Sequence, residues 1–237
     1  MPELADLCAA AVEAALEGEQ VEAYGEEHSA TSVEAHRGEL ESLSFSQSRG
    51  VGVRVIVSGG RLGFAYAADP SIEEVRRTVE RARENAALTA EDVFNVLPEA
   101  EPVEPLDGLY SEDLATMATD AKVPIALDLE RLATTADPRV RKTESVRYGD
   151  AVGSVAIAST AGVRAEYRGT GCWCAVVTMA ERDGETQTGG SFRIARSVED
   201  LHPDDVAREA VERAARMLGA TKPETVRVPV LLDPFAA

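Results

Sequence analysis

The sequence has few basic residues, few cysteines and no long apolar run, and each shortage excludes a class of protein. Acidic residues number 42 against 24 basic ones, so the formal net charge is −18 at pH 7. Long-range repulsion therefore disfavours direct binding to nucleic acid or to an anionic membrane. The lysines are limited to Lys122, Lys142 and Lys222, and no basic stripe offsets the acidity.

Membrane and secretion signals are also missing from the sequence. No stretch approaches the roughly 20 apolar residues that cross a bilayer. The amino terminus carries Glu3 and Asp6 where a signal peptide would have a basic segment. Three cysteines, at Cys8, Cys172 and Cys174, are too few and too oddly spaced for a disulfide framework. We therefore predict a cytoplasmic protein that has no membrane partner.

Motifs for the common catalytic chemistries are absent as well. Gly50 and Gly52 lack the lysine and the following helix of a phosphate-binding loop, and no Gly-x-Ser-x-Gly elbow occurs. Cys172 and Cys174 have no third ligand nearby in sequence, which favours buried strand cysteines over a zinc site. Solvated or capping roles are expected for the histidines and adjacent acids, namely His28, His36, His202, Glu26–Glu27, Glu112–Asp113 and Asp204–Asp205. The residues alone predict no catalytic, cofactor-binding or metal-binding residue in this chain.

The clearest structural pattern runs from Gly50 to Tyr66. Val51, Val53, Val55 and Val57 alternate with Gly52, Arg54, Ile56 and Ser58, so one face is wholly apolar and the other mixed. Gly59–Gly60 supplies the positive φ of a tight turn. Ser71 and Glu74 then form a capping box for a helix whose apolar residues recur every three or four positions. This stretch predicts a strand meander that is covered by a helix.

The other patterns predict similar elements along the chain. A second turn at Arg37–Glu39 gives four strands before Tyr66, and residues 89–110 gather acid and proline into an exposed connector. Further strands are predicted between turns at Gly149–Asp150, Ala161–Gly162 and Asp183–Gly184. Helices are predicted over residues 2–16, over 111–136 with an interruption at Pro124, and from Pro203 to a C′ residue at Gly219.

These elements predict an α+β fold of antiparallel meanders covered by helices. Residues 1–222 would form one region that could contain two similar halves, 1–88 and 111–222, joined by the connector at 89–110. An apolar run at Val226–Leu232 predicts one more strand, so residues 223–237 are interpreted as the start of a carboxy-terminal domain.

Several of these segments resemble one known family. The stretch from Gly50 to Val55, Gly63–Ala65 and the helix at 72–87 resemble the amino-terminal domain of the TldD/PmbA family, once described as modulators of DNA gyrase. The resemblance continues over nearly the whole chain, through Lys142–Glu144, Ser159–Gly162, Asp200–Leu201, Leu218–Ala220 and the junction-like segment Pro229–Pro234.

The resemblance implies part of a two-subunit bacterial and archaeal metallopeptidase. TldD-type subunits carry a His-Glu-x-x-x-His zinc motif in their carboxy-terminal half. PmbA-type subunits, also called TldE, lack it and pair with TldD around a chamber for unfolded or small peptides. This chain has no such motif and ends before the region that would hold one, while Arg139–Glu144 and Leu232–Ala237 look more like the PmbA/TldE branch.

We therefore expect a non-catalytic PmbA/TldE-like subunit that takes part in peptide hydrolysis. Zinc would then lie in the TldD-type partner or in a downstream domain. Two alternatives stay open. One is the amino-terminal region of a TldD-type catalytic subunit, and the other is an acidic protein-binding regulator with no link to proteolysis.

Overall fold

The computed structural model describes residues 2–104 and 106–233. The strands are β1 (Gln20–His36), β2 (Glu39–Val57), β3 (Arg61–Ala68), β4 (Val140–Ser159), β5 (Arg164–Arg182) and β6 (Glu185–Ala195). The helices are α1 (Leu4–Glu13), α2 (Ile72–Ala87), α3 (Glu112–Ala115), α4 (Thr119–Thr135) and α5 (Pro203–Met217). None of the helices in the described ranges has the length and hydropathy of a membrane span.

All six strands form one antiparallel sheet in the order β3-β2-β1-β4-β5-β6, which confirms the α+β prediction. The central pair is β1 with β4, from Glu22 opposite Ser159 to Ala35 opposite Val146. Each strand of this pair begins a three-strand meander, β1–β3 or β4–β6, that is preceded and followed by a helix. The division of the chain into domains stays a prediction, since both meanders share the sheet.

The strands are longer and fewer than predicted. The turn at Arg37 and Gly38 is confirmed, with φ of 55° and 76°. However, β2 is one strand of 19 residues, so three strands precede α2 and the prediction of four is wrong. The predicted turn at Gly149–Asp150 is also wrong, because both residues lie inside β4. Trp173 is paired with Gly149 across the sheet and covers it, so that an added Cβ would lie 2.5 Å from Nε1 of the indole.

The helices pack on a single face of the sheet. Odd-numbered residues of β1 face them, among which Val21, Ala23, Val33 and Ala35 are buried. Helices α1 and α2 cover one end of this face, and helices α4 and α5 cover the other end, each pair with its own hydrophobic cluster. The opposite face carries no helix in the part of the chain that the structure describes.

Glycines on the outer strands set how closely two helices approach the sheet. A Cβ on Gly63 of β3 would lie 1.9 Å from the Ala82 carbonyl oxygen of α2. A Cβ on Gly189 of β6 would lie 2.2 Å from the Ala214 nitrogen of α5. Helix backbone thus lies directly on strand backbone at equivalent places in the two meanders, which only glycine permits.

The predicted helix ends are largely confirmed. The Ser71 hydroxyl accepts a hydrogen bond from the Glu74 N–H at 3.2 Å, and Gly219 follows α5 with φ of 80°. Helix α4, in contrast, runs through Pro124, and the break in the predicted helix lies earlier, between α3 and α4. The proline lies in the second turn of α4, so it does not mark the end of a helix.

The prediction for the connector at residues 89–110 is confirmed for its described residues, whereas the prediction for the segment Val226–Leu232 is not. Residues 89–104 and 106–110 form no helix or strand, as expected, and Leu97 anchors them by donating its N–H to Gln20 Oε1 at 2.8 Å. The strand predicted at Val226–Leu232 is wrong, because the described residues of this segment have no strand partner to take up their backbone hydrogen bonds. Met1, Pro105 and residues 234–237, which several predictions include, lie outside the described residues.

Candidate functional site

Strand β2 has an unpaired edge along residues 39–48, which we call the open edge. Strand β3 pairs with β2 only from Gly50 to Val57, and the Asp69 N–H bonds to the Arg49 carbonyl oxygen at 2.8 Å. Beyond that bond, none of the strands in the described ranges pairs with β2 on the side away from β1. Ten consecutive residues of β2 therefore have one backbone edge with which no described strand pairs.

The backbone direction along the open edge follows from the last bond to β3. In an antiparallel ladder, alternate residues direct both their N–H and C=O groups to the same side. Since the Arg49 carbonyl points away from β1, the peptide groups of Gln47 and Phe45 point away from β1 as well. They present donors and acceptors in the geometry that a further strand requires.

Apolar side chains flank the open edge. Leu40, Leu43 and Phe45 are 45%, 40% and 63% exposed, although Phe45 lies on the face of the sheet that the helices cover elsewhere. Serines occupy the alternate positions at Ser42, Ser44, Ser46 and Ser48. Proteins usually protect such an edge with charge, proline or a covering loop, because it can pair with another chain. The open edge therefore has the features of a binding surface for an extended segment.

The equivalent edge of the other meander is partly covered, at Thr170. Strand β6 pairs with β5 only from Cys172 to Arg182, which would leave residues 164–171 of β5 open in the same way. There the connector takes part of the edge, because the Thr170 N–H donates to the Leu109 carbonyl oxygen at 2.9 Å and the Thr170 hydroxyl accepts from the Ser111 N–H at 2.9 Å. The contrast singles out β2 as the more accessible edge.

A buried ion pair between α4 and the sheet was missed by sequence reasoning. Lys122 Nζ lies 2.8 Å from Asp150 Oδ1 and 2.9 Å from Thr31 Oγ1. The two charged side chains are only 9% and 3% exposed. Burial, and next the charge of Asp150, raise the pKa of the neighbouring Tyr148 well above its usual range. The one sequence feature that sets Lys122 apart is that lysine is rare in this chain. No local pattern connects it with Asp150 or Thr31, which lie 28 and 91 residues away in sequence.

Cys172 and Cys174 lie where the sequence predicted, inside the hydrophobic core, and Cys8 of α1 is buried as well. Burial raises the pKa of Cys8, Cys172 and Cys174 to about 11, so all three are protonated thiols at neutral pH. Since the thiolate is the form that binds metal or attacks a substrate, these residues suit neither role.

The histidines and acidic pairs do not form a site either. His28 and His36 lie on β1 and His202 directly precedes α5, while Glu26–Glu27 lies in β1. The pairs Glu112–Asp113 and Asp204–Asp205 occupy first helical turns, where the helix dipole favours them. Across residues 2–104 and 106–233, no group of three or more possible metal ligands comes together. The donors of this part of the chain therefore do not fit a zinc ion.

Two family models match this sequence. The one described as PmbA/TldA metallopeptidase domain 1 matches residues 21–86, and the one described as PmbA/TldA metallopeptidase central domain matches residues 112–218. Metalloprotease PmbA from Escherichia coli O157:H7 is 26% identical over 206 residues, which cover 84% of this chain and 45% of that protein. The chain therefore spans about half the length of the curated relative that it matches.

Solved structures share the fold. A proposed modulator of DNA gyrase from Thermotoga maritima superposes with a TM-score of 0.78 at 23% identity, over 92% of this chain and 48% of that chain. TldE from Thermococcus kodakarensis gives a TM-score of 0.76 at 15% identity, over 89% and 46% of the two chains. A second proposed gyrase modulator, from Bacteroides thetaiotaomicron, gives 0.79 at 19% identity, over 92% and 51%.

Proposed function

Because the chain belongs to the PmbA/TldD metallopeptidase family, we propose that it is the amino-terminal region of a PmbA/TldE-like subunit in a two-subunit zinc metallopeptidase. The subunit would lack catalytic residues of its own, assemble with a TldD-type subunit and help to present unfolded or small peptides for cleavage. The match to a relative named metalloprotease PmbA supports this branch of the family.

The open edge is the feature of the chain that best suits a role in peptide handling. An extended peptide can add to a sheet edge through main-chain hydrogen bonds that do not depend on its sequence. The outward peptide groups of Phe45 and Gln47 would supply these bonds. Leu40 and Leu43 would add apolar contact area for alternate side chains of the peptide.

In this proposal, zinc would be bound by the TldD-type partner or by a downstream domain. In known metallopeptidases the metal polarises the scissile carbonyl and activates a water molecule. The described residues of this chain do not fit such an ion, since their thiols are buried and protonated and their histidines are scattered. The role left to this chain is to bind and orient the peptide.

Assembly can be tested by co-expressing the full-length protein with the TldD-type subunit encoded in the same genome. We expect a stable complex in native mass spectrometry, and peptide cleavage that requires both subunits and is abolished by a chelator. Cleavage by this protein alone would contradict the non-catalytic role. Zinc bound stoichiometrically to the full-length protein without its partner would instead support a TldD-type catalytic subunit.

The role of the open edge can be tested with a pair of substitutions at one residue. Gln47→Pro removes an outward N–H donor while leaving the ladder with β1 intact. Gln47→Ala removes only the side chain, whose amide bonds to Glu27 Oε1 at 3.3 Å. We expect the proline variant alone to weaken peptide binding to the complex, by about tenfold for a lost backbone bond. Equal effects of the two variants would rule out strand addition at this edge.

A further inference from the structure

A pocket beside the turn between β1 and β2 is basic, in contrast to the acidic chain. It has a volume of about 600 Å³ and lies between this turn, helix α4 and the start of β4. Four basic side chains line it, Arg37, Arg131, Arg141 and Lys142, together with a single carboxylate, Glu130. We call it the basic pocket. Its volume lies in the range of small-molecule binding sites.

The carboxylate in the floor of the basic pocket is already occupied by protein donors. Glu130 is 5% exposed and accepts hydrogen bonds from the Arg37 N–H at 2.9 Å, the Gly38 N–H at 2.8 Å and the Thr143 hydroxyl at 2.8 Å. These bonds use most of its acceptor capacity and stabilise its charge. Glu130 thus holds the turn in place and has little capacity left to accept a hydrogen bond from the cations at the rim, while its charge offsets only one of the four.

Two of the four cations lack an acidic partner in the part of the chain that the structure describes. Arg131 pairs with Asp128 at 3.1 Å, and Lys142 pairs with Glu181 at 2.9 Å. Within residues 2–104 and 106–233, the Arg37 side chain forms no ion pair, and Arg141 bonds only to the Pro138 carbonyl oxygen, at 3.4 Å. In a chain with almost twice as many acids as bases, two unpaired guanidinium groups at one pocket are unexpected.

We propose that the basic pocket binds a small anion through a carboxylate or phosphate group held by Arg37 and Arg141. Guanidinium groups suit both anions because their planar donors match the spacing of the oxygens. Leu127 and the methyl group of Thr134 in the same lining leave room for an organic body next to the charge. The carboxy terminus of a peptide and free phosphate are the two sources of such a group. The site does not depend on the function proposed above.

The experiment compares three probes with the full chain by isothermal titration calorimetry at pH 7 and constant ionic strength. The probes are an acetylated tripeptide with a free carboxylate, the same tripeptide as its amide, and inorganic phosphate. We expect the free acid or phosphate to bind, and the amide to bind at least about tenfold more weakly than the free acid, since it lacks the charge. Binding of phosphate without binding of the peptide acid would assign the site to free phosphate.

Variants then locate the binding. Arg37→Gln and Arg141→Gln should each weaken the binding about tenfold. Arg76→Gln, at an exposed residue of α2 that pairs with Glu13, should leave it unchanged. Circular dichroism checks that each variant is folded. If Arg37→Gln does not fold, because Arg37 lies in the turn, the result for Arg141→Gln decides the test. The proposal is wrong if neither anion binds, if acid and amide bind equally, or if the pocket variants bind like the control.

Discussion

The buried pair of Lys122 and Asp150 gives the sharpest test of how the helix α4 is held on the sheet. Lys122 Nζ and Asp150 Oδ1 lie 2.8 Å apart, so removing either charge leaves the other buried without its partner. Breaking a buried pair in this way costs about 3–5 kcal/mol of unfolding free energy, whereas removing both charges together can be nearly neutral. We therefore expect a large, non-additive effect.

The assay is a double-mutant cycle built from Lys122→Met, Asp150→Asn and the double variant. Urea unfolding is followed by the fluorescence of Trp173, the single tryptophan, and by circular dichroism. Each single variant should lose about 3 kcal/mol, which is a fall of about 10 °C in Tm for a chain of this size. The double variant should be at least as stable as the less stable of the two single variants. Its loss is then about 3 kcal/mol, where additive effects would give about twice that, so the coupling energy is about 3 kcal/mol.

A matched cycle on the exposed side of α4 provides the control. Asp128 and Arg131 lie 3.1 Å apart, but their side chains are 60% and 63% exposed. Asp128→Asn and Arg131→Met should therefore couple by less than about 0.5 kcal/mol. If the buried cycle gave no larger coupling than this surface cycle, the pair would not hold α4 on the sheet and our reasoning from burial would be refuted.

Three further predictions follow from close packing, charge and burial. Gly63→Ala should destabilise the protein by about 3 kcal/mol or more in the same urea assay, because the new Cβ would overlap the backbone of α2. The control is Gly153→Ala, where the nearest atom to the new Cβ is 3.9 Å away, and it should cost under about 1 kcal/mol. The bonds from Arg139 lower the pKa of Asp137 from 3.8 to about 2, so this carboxylate stabilises the fold above pH 4 and the contribution is lost as the pH falls through 2. Asp137→Asn should flatten the acid limb of a stability profile between pH 4 and pH 2, and an unchanged profile would contradict this assignment. The three thiols, with pKa raised to about 11, should react with a thiol reagent only at the rate of unfolding, and fast reaction in the native state would show that the core is accessible.

Local features of the fold could be predicted because their causes lie within a few residues. The turn at Gly59–Gly60 needs positive φ, the cap at Ser71 needs one hydroxyl three residues before its donor, and the stop at Gly219 needs a left-handed residue. Each of these can be identified in a short window. The same holds for the alternation of β2, which predicted a sheet with one buried face.

Features that depend on distant residues were predicted wrongly or not at all. Gly149 looks like a turn residue in its own segment, but the indole of Trp173 from the neighbouring strand covers it. Lys122 gives no local sign of the contact it makes with Thr31, which lies 91 residues away in sequence. The valines at the end of the chain look like a strand, but no described strand lies beside them.

The sequence by itself determined the α+β class, most turns and helix ends, the burial of Cys172 and Cys174 and the resemblance to the PmbA/TldD family. These follow from local backbone preferences, from hydrophobic periodicity and from segments that can be compared one at a time. Only the tertiary structure decided which strand edge stays open, which charges are buried as a pair and which cations share a pocket. Those properties depend on strand order and register, because these bring residues from distant parts of the chain to within hydrogen-bonding distance.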